Sequence, residues 1–291
     1  MRKPLIVIGC GKAALSLALA LKTSGWTVSG CLSRTPESTE QGAQWLACPV
    51  LPSLGELPEE GALLLGVPEG SLGDLDRKIA AQDPFLKGRV ILHLSGALPS
   101  RALEACRLRG ASVGSFHPLM TLPDPLTGAR RLRQATFAIE GRPAAIDLMR
   151  DMAQSLSGKF FTLSPRGKTL YHAAAVLASN HLVALLADSQ ELLMRAGADA
   201  ASATPAFQAL AEGTLANFYA AGPVASITGP LERGDLQTIK NHLQALKRWP
   251  RQLERYRVMA LGALELARRR HPERGEAYDE LAKLLAGWHS K

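Results

Sequence analysis

The chain has 291 residues, of which 46% are hydrophobic and 21% charged, a composition typical of a globular protein with room for two domains. The formal net charge of +8 is evenly spread, because 18 basic and 14 acidic residues precede residue 166, while 16 basic and 12 acidic residues follow residue 165. No basic stripe is interleaved with aromatic side chains, which argues against nucleic acid as a partner.

The sequence also bears on the compartment. We expect no apolar stretch long enough to span a bilayer, and the first residues lead into a strand rather than a signal peptide. The cysteines form no C-x-x-C pair and have no histidine at zinc-site spacing; they are Cys10, Cys31, Cys48 and Cys106. We therefore predict a cytoplasmic protein with free thiols, no metal site and no membrane contact.

Strand-like and helix-like segments alternate in the first part of the chain. Strands are predicted at 5–9, 27–33, 62–67, 89–95, 111–117, 136–141 and 159–164. Helices are predicted at 12–23, 37–46, 71–81, 99–109 and 143–157. This alternation predicts an α/β domain over 1–165, a doubly wound, mostly parallel Rossmann-like sheet.

The strand pattern ends near residue 165, and only helical patterns follow. Helices are predicted at 167–196, 203–220, 235–247, 250–270 and 276–286, with Gly197, Pro205, Pro250 and the Gly222-Pro223 pair as breaks. We therefore predict a second, all-α domain over 166–291.

The stretch "LIVIGCGKAAL" at 5–15 joins the first strand to the first helix through two glycines. Gly9 permits a tight turn, Gly11 lets a diphosphate approach the backbone, and Ala14 allows close helix packing. The helix N-terminus, Lys12 and Ala13 would supply N–H groups and positive charge. This match to G-x-G-x-x-[G/A] favours dinucleotide binding over an ordinary glycine-containing turn.

The residues at the end of the second strand indicate whether the cofactor is NAD or NADP. NAD sites usually place a carboxylate there, but this chain has Ser33, Arg34 and Thr35. A guanidinium with two hydroxyl groups suits a 2′-phosphate, so we predict NADP(H) as the cofactor. The alternative is that Arg34 is an ordinary exposed loop residue.

Three later strand ends carry candidate site residues, since ligands bind beyond the carboxyl ends of such strands. Val67 and Pro68 would pass close to the cofactor, while Ser95 and Gly96 would contact both cofactor and substrate. Ser95 and His117 are candidate catalytic residues, and His117 is a candidate proton donor and substrate ligand. The alternative for His117 is a structural histidine bonded to a loop carbonyl.

The long helix carries a polar stripe on an otherwise apolar surface. One face holds Lys168, His172, Ala175 and Ser179, with Asn180 at its edge. We consider His172 and Asn180 candidate catalytic residues; hydrogen bonding between helices is the alternative. Further along, "ITGPLERGD" at 227–235 offers Thr228 and Arg233 to an anionic substrate, or serves only as a helix-capped connector.

Several motifs occur together and in a fixed order. They are Gly9-x-Gly11, Gly66-Val67-Pro68, His93-x-Ser95-Gly96, His117-Pro118-Leu119, Tyr171-His172-Ala173-Ala174 with Ser179-Asn180, and Thr228-Gly229-Pro230 with Arg233-Gly234-Asp235. The set resembles a bacterial family with a Rossmann-like NADP-binding domain and a C-terminal helical domain of unknown function. That family is similar to pyrroline-5-carboxylate reductase, ketopantoate reductase, and the 6-phosphogluconate and 3-hydroxyisobutyrate dehydrogenases.

The resemblance implies an NADP-linked oxidoreductase, related also to deazaflavin-dependent NADP reductases, and a homodimer formed through the helical domain. The hydroxyacid dehydrogenases among these relatives carry a catalytic lysine four residues before an asparagine. Val176 stands at that position before Asn180, and Lys168 is expected to lie too far back to replace it. The lysine mechanism is therefore not carried over.

We accordingly expect hydride transfer between NADP(H) and a small carbonyl or imine compound that bears a carboxylate. The alternative, favoured by the missing lysine, is an NADP-binding sensor or scaffold without turnover.

Overall fold

The computed structural model describes residues 3–288. The chain divides into two compact units, Met1–Ser179 and Asn180–Lys291. The helix that begins at Lys168 thus contributes its first part to the first unit, whereas the sequence predicts a division at 165/166. That predicted domain boundary stays a prediction.

The first unit contains the predicted sheet. Its strands are β1 (Leu5–Ile8), β2 (Val28–Leu32), β3 (Ala62–Leu65), β4 (Val90–His93), β5 (Ser112–Pro118), β6 (Thr136–Gly141) and β7 (Lys159–Thr162). They lie in the order β2-β1-β3-β4-β5-β6-β7, and every neighbouring pair is parallel except β5 and β6. This confirms the mostly parallel Rossmann-like fold.

Helices cover both faces of this sheet. They are α1 (Lys12–Thr23), α2 (Pro36–Leu46), α3 (Glu69–Gln82), α4 (Glu104–Leu108), α5 (Pro125–Arg131), α6 (Pro143–Ser155) and α7 (Lys168–Val176). One buried cluster packs β1 and β4 against α1 and α6, and a second packs the other face against α3 and α4. Helix α5 was not predicted; it is only seven residues long, begins at the Asp124 cap, and packs on α1.

The register of the parallel strands brings their carboxyl ends to one edge. Ile8 pairs with Leu65, Leu65 with His93, and His93 with Ser115. The residues that follow β1, β3 and β4 therefore lie at the same level as the second half of β5. This edge is where a doubly wound sheet binds its ligands.

The second unit is helical, as predicted. It comprises α8 (Leu182–Arg195), α9 (Ala200–Ser226), α10 (Pro230–Arg233), α11 (Leu236–Leu246), α12 (Pro250–Arg270) and α13 (Gly275–Gly287). A separate core unites α11, α12 and α13 around Tyr278 and Leu281. The predicted break at Gly222 is confirmed, because Gly222 has a φ of 78° and interrupts α9.

Helices α7 and α8 are joined by a π-helical turn, Leu177–His181. The helical run Pro165–Arg195 is 31 residues long with a mean hydropathy of 1.5 in its most apolar window, enough by length and composition to cross a membrane. The expectation that no such stretch exists was wrong, since no Asp, Glu, Lys or Arg lies between Lys168 and Asp188. One such helix is weak evidence, because apolar helices of soluble proteins pass the same test.

Candidate active site

The glycine joint has the backbone that a phosphate cradle requires. Gly9 has a φ of +88°, and a Cβ there would lie 2.8 Å from the Gly66 carbonyl oxygen and 2.6 Å from Val67 Cγ1. Gly11 is the exposed N-cap of α1, and no side chain caps this helix end. The first-turn N–H groups, those of Lys12 and Ala13 among them, therefore face outward with the positive end of the helix dipole.

Close packing beneath the joint depends on two small residues. A Cβ on Gly66 would lie 2.2 Å from Ala14 Cβ, and Ala14 itself is fully buried. Helix α1 consequently sits directly against the end of β3. The expected role of Ala14 in close packing is confirmed, with Gly66 as the partner.

Arg34 is exposed just beyond β2, as a ligand for a phosphate would be. Its neighbours have structural partners. Thr35 caps α2, its hydroxyl oxygen accepting a hydrogen bond from the Ser38 N–H at 3.3 Å, and the Ser33 N–H donates to Thr39 Oγ1 at 2.8 Å. Of the three predicted 2′-phosphate ligands, Arg34 is thus the most available.

The turn after β4 fixes the Ser95 hydroxyl. This oxygen accepts hydrogen bonds from the N–H groups of Ala97 at 3.2 Å and Leu98 at 2.9 Å, and it donates to Glu69 Oε1. Glu69 begins α3 directly after Pro68, so the ends of β3 and β4 are tied together through side chains. The hydroxyl expected to bind substrate is therefore engaged within the protein.

Two histidine nitrogens converge on Gly96. A Cβ on this buried glycine would lie 2.9 Å from His117 Nε2 and 2.7 Å from His172 Nδ1. The two rings are nearly perpendicular, at 82°, with centroids 6.3 Å apart. His172 Nδ1 is buried and makes no hydrogen bond with any described residue. A side chain at position 96 would fill the space between the two histidine nitrogens, so glycine is required there.

His117 is oriented by Tyr171. The two side chains meet at His117 Nδ1 and the Tyr171 hydroxyl, 2.6 Å apart. Burial, reinforced by the positive charge of Lys168, lowers the pKa of His117 to about 4, whereas burial raises the pKa of Tyr171 to about 12. At neutral pH the imidazole is uncharged and the phenol keeps its proton. A phenol that donates to Nδ1 leaves the imidazole N–H on Nε2, the nitrogen that faces Gly96.

Lys168 lies beneath the same turn and is 1% exposed. Its Nζ donates to the Ser95 carbonyl oxygen at 3.0 Å and to Ser115 Oγ at 2.8 Å. Burial lowers the pKa of Lys168 to about 8, although Glu140 and Glu69 oppose this shift. The lysine thus holds the backbone of β4 at the point where it reaches Gly96.

Other polar residues are buried around these groups. Glu140 accepts hydrogen bonds from the backbone N–H and the hydroxyl of Ser100, at 2.5 and 2.7 Å. His93 accepts the Ser95 N–H at Nδ1 and contacts the Pro99 carbonyl oxygen through Nε2. Burial lowers the pKa of His93 to about 4, so this histidine is a neutral core residue that supports the turn.

The first unit thus brings together the predicted residues of the strand ends and of α7. Gly9, Gly11, Lys12, Ala13, Ser33, Arg34, Thr35, Val67, Pro68, Ser95, Gly96, His117 and His172 all belong to it. Asn180, in the π-helical turn, and the exposed Thr228 and Arg233 belong to the second unit. Their part in the site stays a prediction.

Sequence reasoning missed several residues of the cluster. Lys168 was placed on the polar stripe of the long helix without a role of its own, and its side chain reaches the Ser95 carbonyl because α7 starts close to the ends of β4 and β5. Ser115 shares a strand face with His117, two residues away, so the alternation of β5 could have found it. Glu69 and the hydroxyl of Tyr171 gave no signal of their roles, because both act through contacts distant in sequence.

The fold and the glycine joint define a Rossmann-like protein, and the model of the Rossmann-like domain family matches residues 1–118. More particularly, the model of a domain of unknown function, DUF2520, matches residues 135–263. The two matches confirm the expected resemblance to proteins with a Rossmann-like domain followed by a domain of unknown function. A comparison with curated protein sequences found no significant match.

Solved structures share the fold over nearly their whole length. A candidate NADP oxidoreductase from Bacteroides fragilis is 22% identical, with a TM-score of 0.72 over 91% of this chain and 98% of that chain. Pyrroline carboxylate reductase from Plasmodium falciparum, with NADP bound, is 13% identical, with a TM-score of 0.61 over 98% of both chains. A reductive aminase from Aspergillus terreus, in complex with NADPH4, cyclohexanone and allyl amine, is 20% identical, with a TM-score of 0.58 over 98% of this chain and 93% of that chain. These TM-scores establish a common fold.

Proposed function

We propose that this protein is an NADP(H)-dependent oxidoreductase that acts on a small carbonyl or imine compound bearing a carboxylate. The observation that carries the proposal is the convergence of His117 Nε2 and His172 Nδ1 on Gly96. This pair lies at the same edge of the sheet as the glycine joint, where a dinucleotide would present its reactive ring.

The residues of the joint fit a dinucleotide. Gly9 and Gly11 leave no side chain above the backbone, and the uncapped end of α1 offers N–H groups to a diphosphate. Lys12 and Ala13 would line the same cradle, and Val67 and Pro68 would lie beside the ribose on the nicotinamide side. NADP(H) supplies hydride chemistry when bound; the protein supplies orientation and electrostatics.

Arg34 would select the phosphorylated nucleotide. An exposed guanidinium beyond β2, where many NAD-binding proteins have a carboxylate, attracts a 2′-phosphate through charge-assisted hydrogen bonds. Ser33 and Thr35 would add weaker contacts to the 2′-phosphate through their backbone and hydroxyl groups. The names of the three similar structures mention NADP or NADPH4, which supports the same choice.

His117 and Tyr171 would deliver a proton to the oxygen or nitrogen of the substrate. When the carbon of the substrate is reduced, its oxygen or nitrogen gains electron density and accepts a hydrogen bond or proton from His117 Nε2. The Tyr171 hydroxyl, 2.6 Å from Nδ1, then restores the imidazole by giving up its own proton. The ammonium of Lys168 lies 5.6 Å from the centre of the Tyr171 ring and stabilises the negative charge that this transfer leaves on the phenol.

The substrate class rests on the remaining candidates. His172 has a buried nitrogen without a partner among the described residues, so it can hydrogen-bond the substrate. Because the Ser95 hydroxyl is engaged by Glu69 and two backbone N–H groups, the other proposed substrate ligands are Asn180, Thr228 and Arg233, and a guanidinium suits a carboxylate. The names of the pyrroline carboxylate reductase and of the reductive aminase point to imine chemistry in two proteins of this fold.

We further propose that the protein is a cytoplasmic homodimer formed through its helical unit. Large apolar side chains are exposed on that unit, which is typical of a surface covered by another chain. They include Val183, Leu210, Leu215, Phe218, Tyr219, Val258 and Met259.

The experiment is a fluorescence titration with NADPH and NADH, followed by an absorbance assay with a panel of 2-oxo acids and cyclic imines. We expect NADPH to bind more tightly than NADH, and at least one compound to oxidise it. Arg34→Asp should weaken NADPH binding by about 10- to 100-fold and leave NADH binding unchanged or better, because one or two charge-assisted hydrogen bonds are lost.

The matched control is Lys87→Asp, which makes the same change of charge at an exposed position before β4, at the opposite edge of the sheet. Equal effects of both variants would remove Arg34 from the site. Tight NADPH binding without turnover of any compound would favour the sensor.

A further inference from the structure

Three of the four cysteines gather beside the glycine joint. Cys10 lies between the two glycines, Cys31 in β2, and Cys48 in the segment that follows α2. A Cβ on Gly42 of α2 would lie 2.3 Å from Cys10 Sγ and 3.6 Å from Cys31 Sγ, so both sulfurs border this one glycine. The Cys31 thiol itself donates a hydrogen bond to the Thr39 carbonyl oxygen at 3.5 Å.

The neighbouring sulfurs shift the pKa values of the thiols in opposite directions. The interaction with Cys31 lowers the pKa of Cys10, whereas the interaction with Cys10 is the main reason that the pKa of Cys31 rises to about 12. The pKa of Cys48 is raised as well, mainly by its interaction with Cys31. The thiolate, which is the reactive form of cysteine, is therefore favoured at Cys10.

The cluster of thiols suits oxidation better than metal binding. Within residues 3–288, no group of His, Cys, Asp and Glu side chains has the geometry of a metal site. Cys10 is half-buried and Cys31 is fully buried. This pairing of an accessible, activated thiol with a neighbouring protected thiol is typical of redox-sensitive cysteines.

We propose that Cys10 and Cys31 are a modification site, a thiol pair that hydrogen peroxide converts to a disulfide on the glycine joint. The Cys10 thiolate attacks one peroxide oxygen, the O–O bond breaks, and Cys10 becomes a sulfenic acid while one water leaves. The Cys31 sulfur then attacks Cys10 Sγ, the S–O bond breaks, and a second water leaves as the disulfide forms. The two thiols lose two electrons and two hydrogens, and one peroxide is reduced to two waters.

The disulfide would act on the loop rather than on the sheet. Cys31 is held on both sides, since its N–H donates to the Pro49 carbonyl and its carbonyl accepts from the Leu51 N–H, in addition to its pairing with β1. Cys10 instead lies between Gly9 and Gly11, outside any strand or helix. Forming the S–S bond therefore draws Cys10 and the joint toward β2, away from the conformation that suits a diphosphate.

The direct test is intact-mass analysis after treatment with peroxide, with peptide mapping under non-reducing conditions. We expect a product two hydrogens lighter, with Cys10 linked to Cys31, that dithiothreitol reverses. Cys31→Ser should instead accumulate oxygen on Cys10, and Cys10→Ser should form no such product. The matched control, Cys106→Ser, alters a buried thiol that hydrogen-bonds Asp76 and should leave the reaction intact. Four free thiols after treatment, or a disulfide without Cys10, would overturn the proposal.

A second readout concerns the cofactor and rests on the proposed function. The oxidised protein should bind NADPH at least about tenfold more weakly, and dithiothreitol should restore the affinity. A mapped Cys10–Cys31 disulfide that leaves NADPH binding unchanged would uphold the thiol pair and count against the joint as the NADPH site. The mass measurement itself does not depend on any nucleotide.

Discussion

At the scale of single residues, the candidate site depends on contacts that hold a few side chains in one arrangement. Gly96 leaves a space that is bordered by the side chains of His117 and His172. Lys168 supports the turn after β4 through its hydrogen bond to the Ser95 carbonyl oxygen. Each of these residues lies at a strand end or on α7, so the sheet edge and one helix are sufficient to assemble them. The chemistry that follows is set by burial, which keeps His117 neutral and Tyr171 protonated at neutral pH.

The proton relay predicts different effects for two substitutions. His117→Ala should lower kcat by about 10²- to 10³-fold, the range for loss of a general acid. Tyr171→Phe keeps the ring but removes the hydroxyl that orients His117 and returns a proton to its Nδ1, so kcat should fall by on the order of tenfold or more. NADPH affinity, measured by fluorescence, should be unchanged in both. Full activity of His117→Ala would remove this residue from the chemistry.

Lys168 should make stability depend on pH. Burial lowers its pKa from 10.5 to about 8, so between these values the unfolded chain binds more protons than the folded chain. The contribution of Lys168 to the free energy of unfolding should therefore rise with pH across this interval, by on the order of 3 kcal/mol. Lys168→Met lacks this contribution.

Urea unfolding of both proteins at about pH 7.5 and about pH 10.5 measures the difference. From the lower to the higher pH, the free energy of unfolding of wild type should increase relative to that of Lys168→Met. The loss of two hydrogen bonds in the variant has the same cost at both pH values and does not affect this comparison. Parallel pH dependence of the two proteins would show that the ammonium is not penalised by burial.

At this scale the sequence predicts residue types better than contacts. His117, Gly96 and His172 were found because strand ends and a helix stripe mark them, and these marks are local. The role of Lys168 was missed because it depends on the reach of one side chain across to β4 and β5. The Ser95 hydroxyl was expected to bind substrate, but it is hydrogen-bonded to Glu69 and to two backbone N–H groups. No local sequence pattern predicts this turn.

At the scale of elements, the sheet and the glycine joint are the most predictable features. All seven strands lie where the apolar runs predicted them. The signal is strongest in β1, β3 and β4, because these parallel strands are buried throughout and are almost continuously apolar. Short elements were harder. Helix α5 and the π-helical turn depend on tertiary packing and on neighbouring helical turns rather than on periodicity.

The β1–α1 joint offers a prediction about stability. Gly9→Ala adds a Cβ at a φ of +88° that would collide with the Gly66 carbonyl and Val67, so it combines backbone strain with overpacking. We expect a loss of about 3 kcal/mol in the free energy of unfolding, together with loss of NADPH binding. Chemical unfolding and a fluorescence titration measure the two effects.

Gly88→Ala is the matched control, because Gly88 has a φ of +78° and nothing within 4 Å of its added Cβ. It should cost only about 1 to 2 kcal/mol and leave NADPH binding unchanged. If the two variants were equally stable, the contact between the joint and the end of β3 would contribute nothing beyond backbone strain.

At the scale of the whole molecule, exposed apolar surface on the second unit predicts association. Leu215 and Phe218 lie three residues apart on α9 and are 40% and 45% exposed. A partner chain that covers them would bury this face, so wild type should have the mass of a dimer in light scattering. The double variant Leu215→Glu/Phe218→Glu should have the mass of a monomer, since charges at the centre of an apolar interface are costly.

Leu108→Glu places the same change on the first unit, where Leu108 is 70% exposed, and should leave the dimer intact. Dissociation by both variants, or a monomeric wild type, would contradict association through the helical unit. The sequence favours this unit only through its resemblance to dimeric relatives. The sequence alone does not predict which helix faces stay exposed to solvent, because that depends on how the helices pack.

A crystal structure of the protein soaked with NADP would show whether a dinucleotide lies on the glycine joint with its reactive ring beside Gly96. We expect density for the diphosphate over Gly9 and Gly11, the 2′-phosphate beside Arg34, and the nicotinamide within contact of His117 or His172. Nucleotide bound elsewhere, or a joint left without density at saturating NADP, would contradict this expectation.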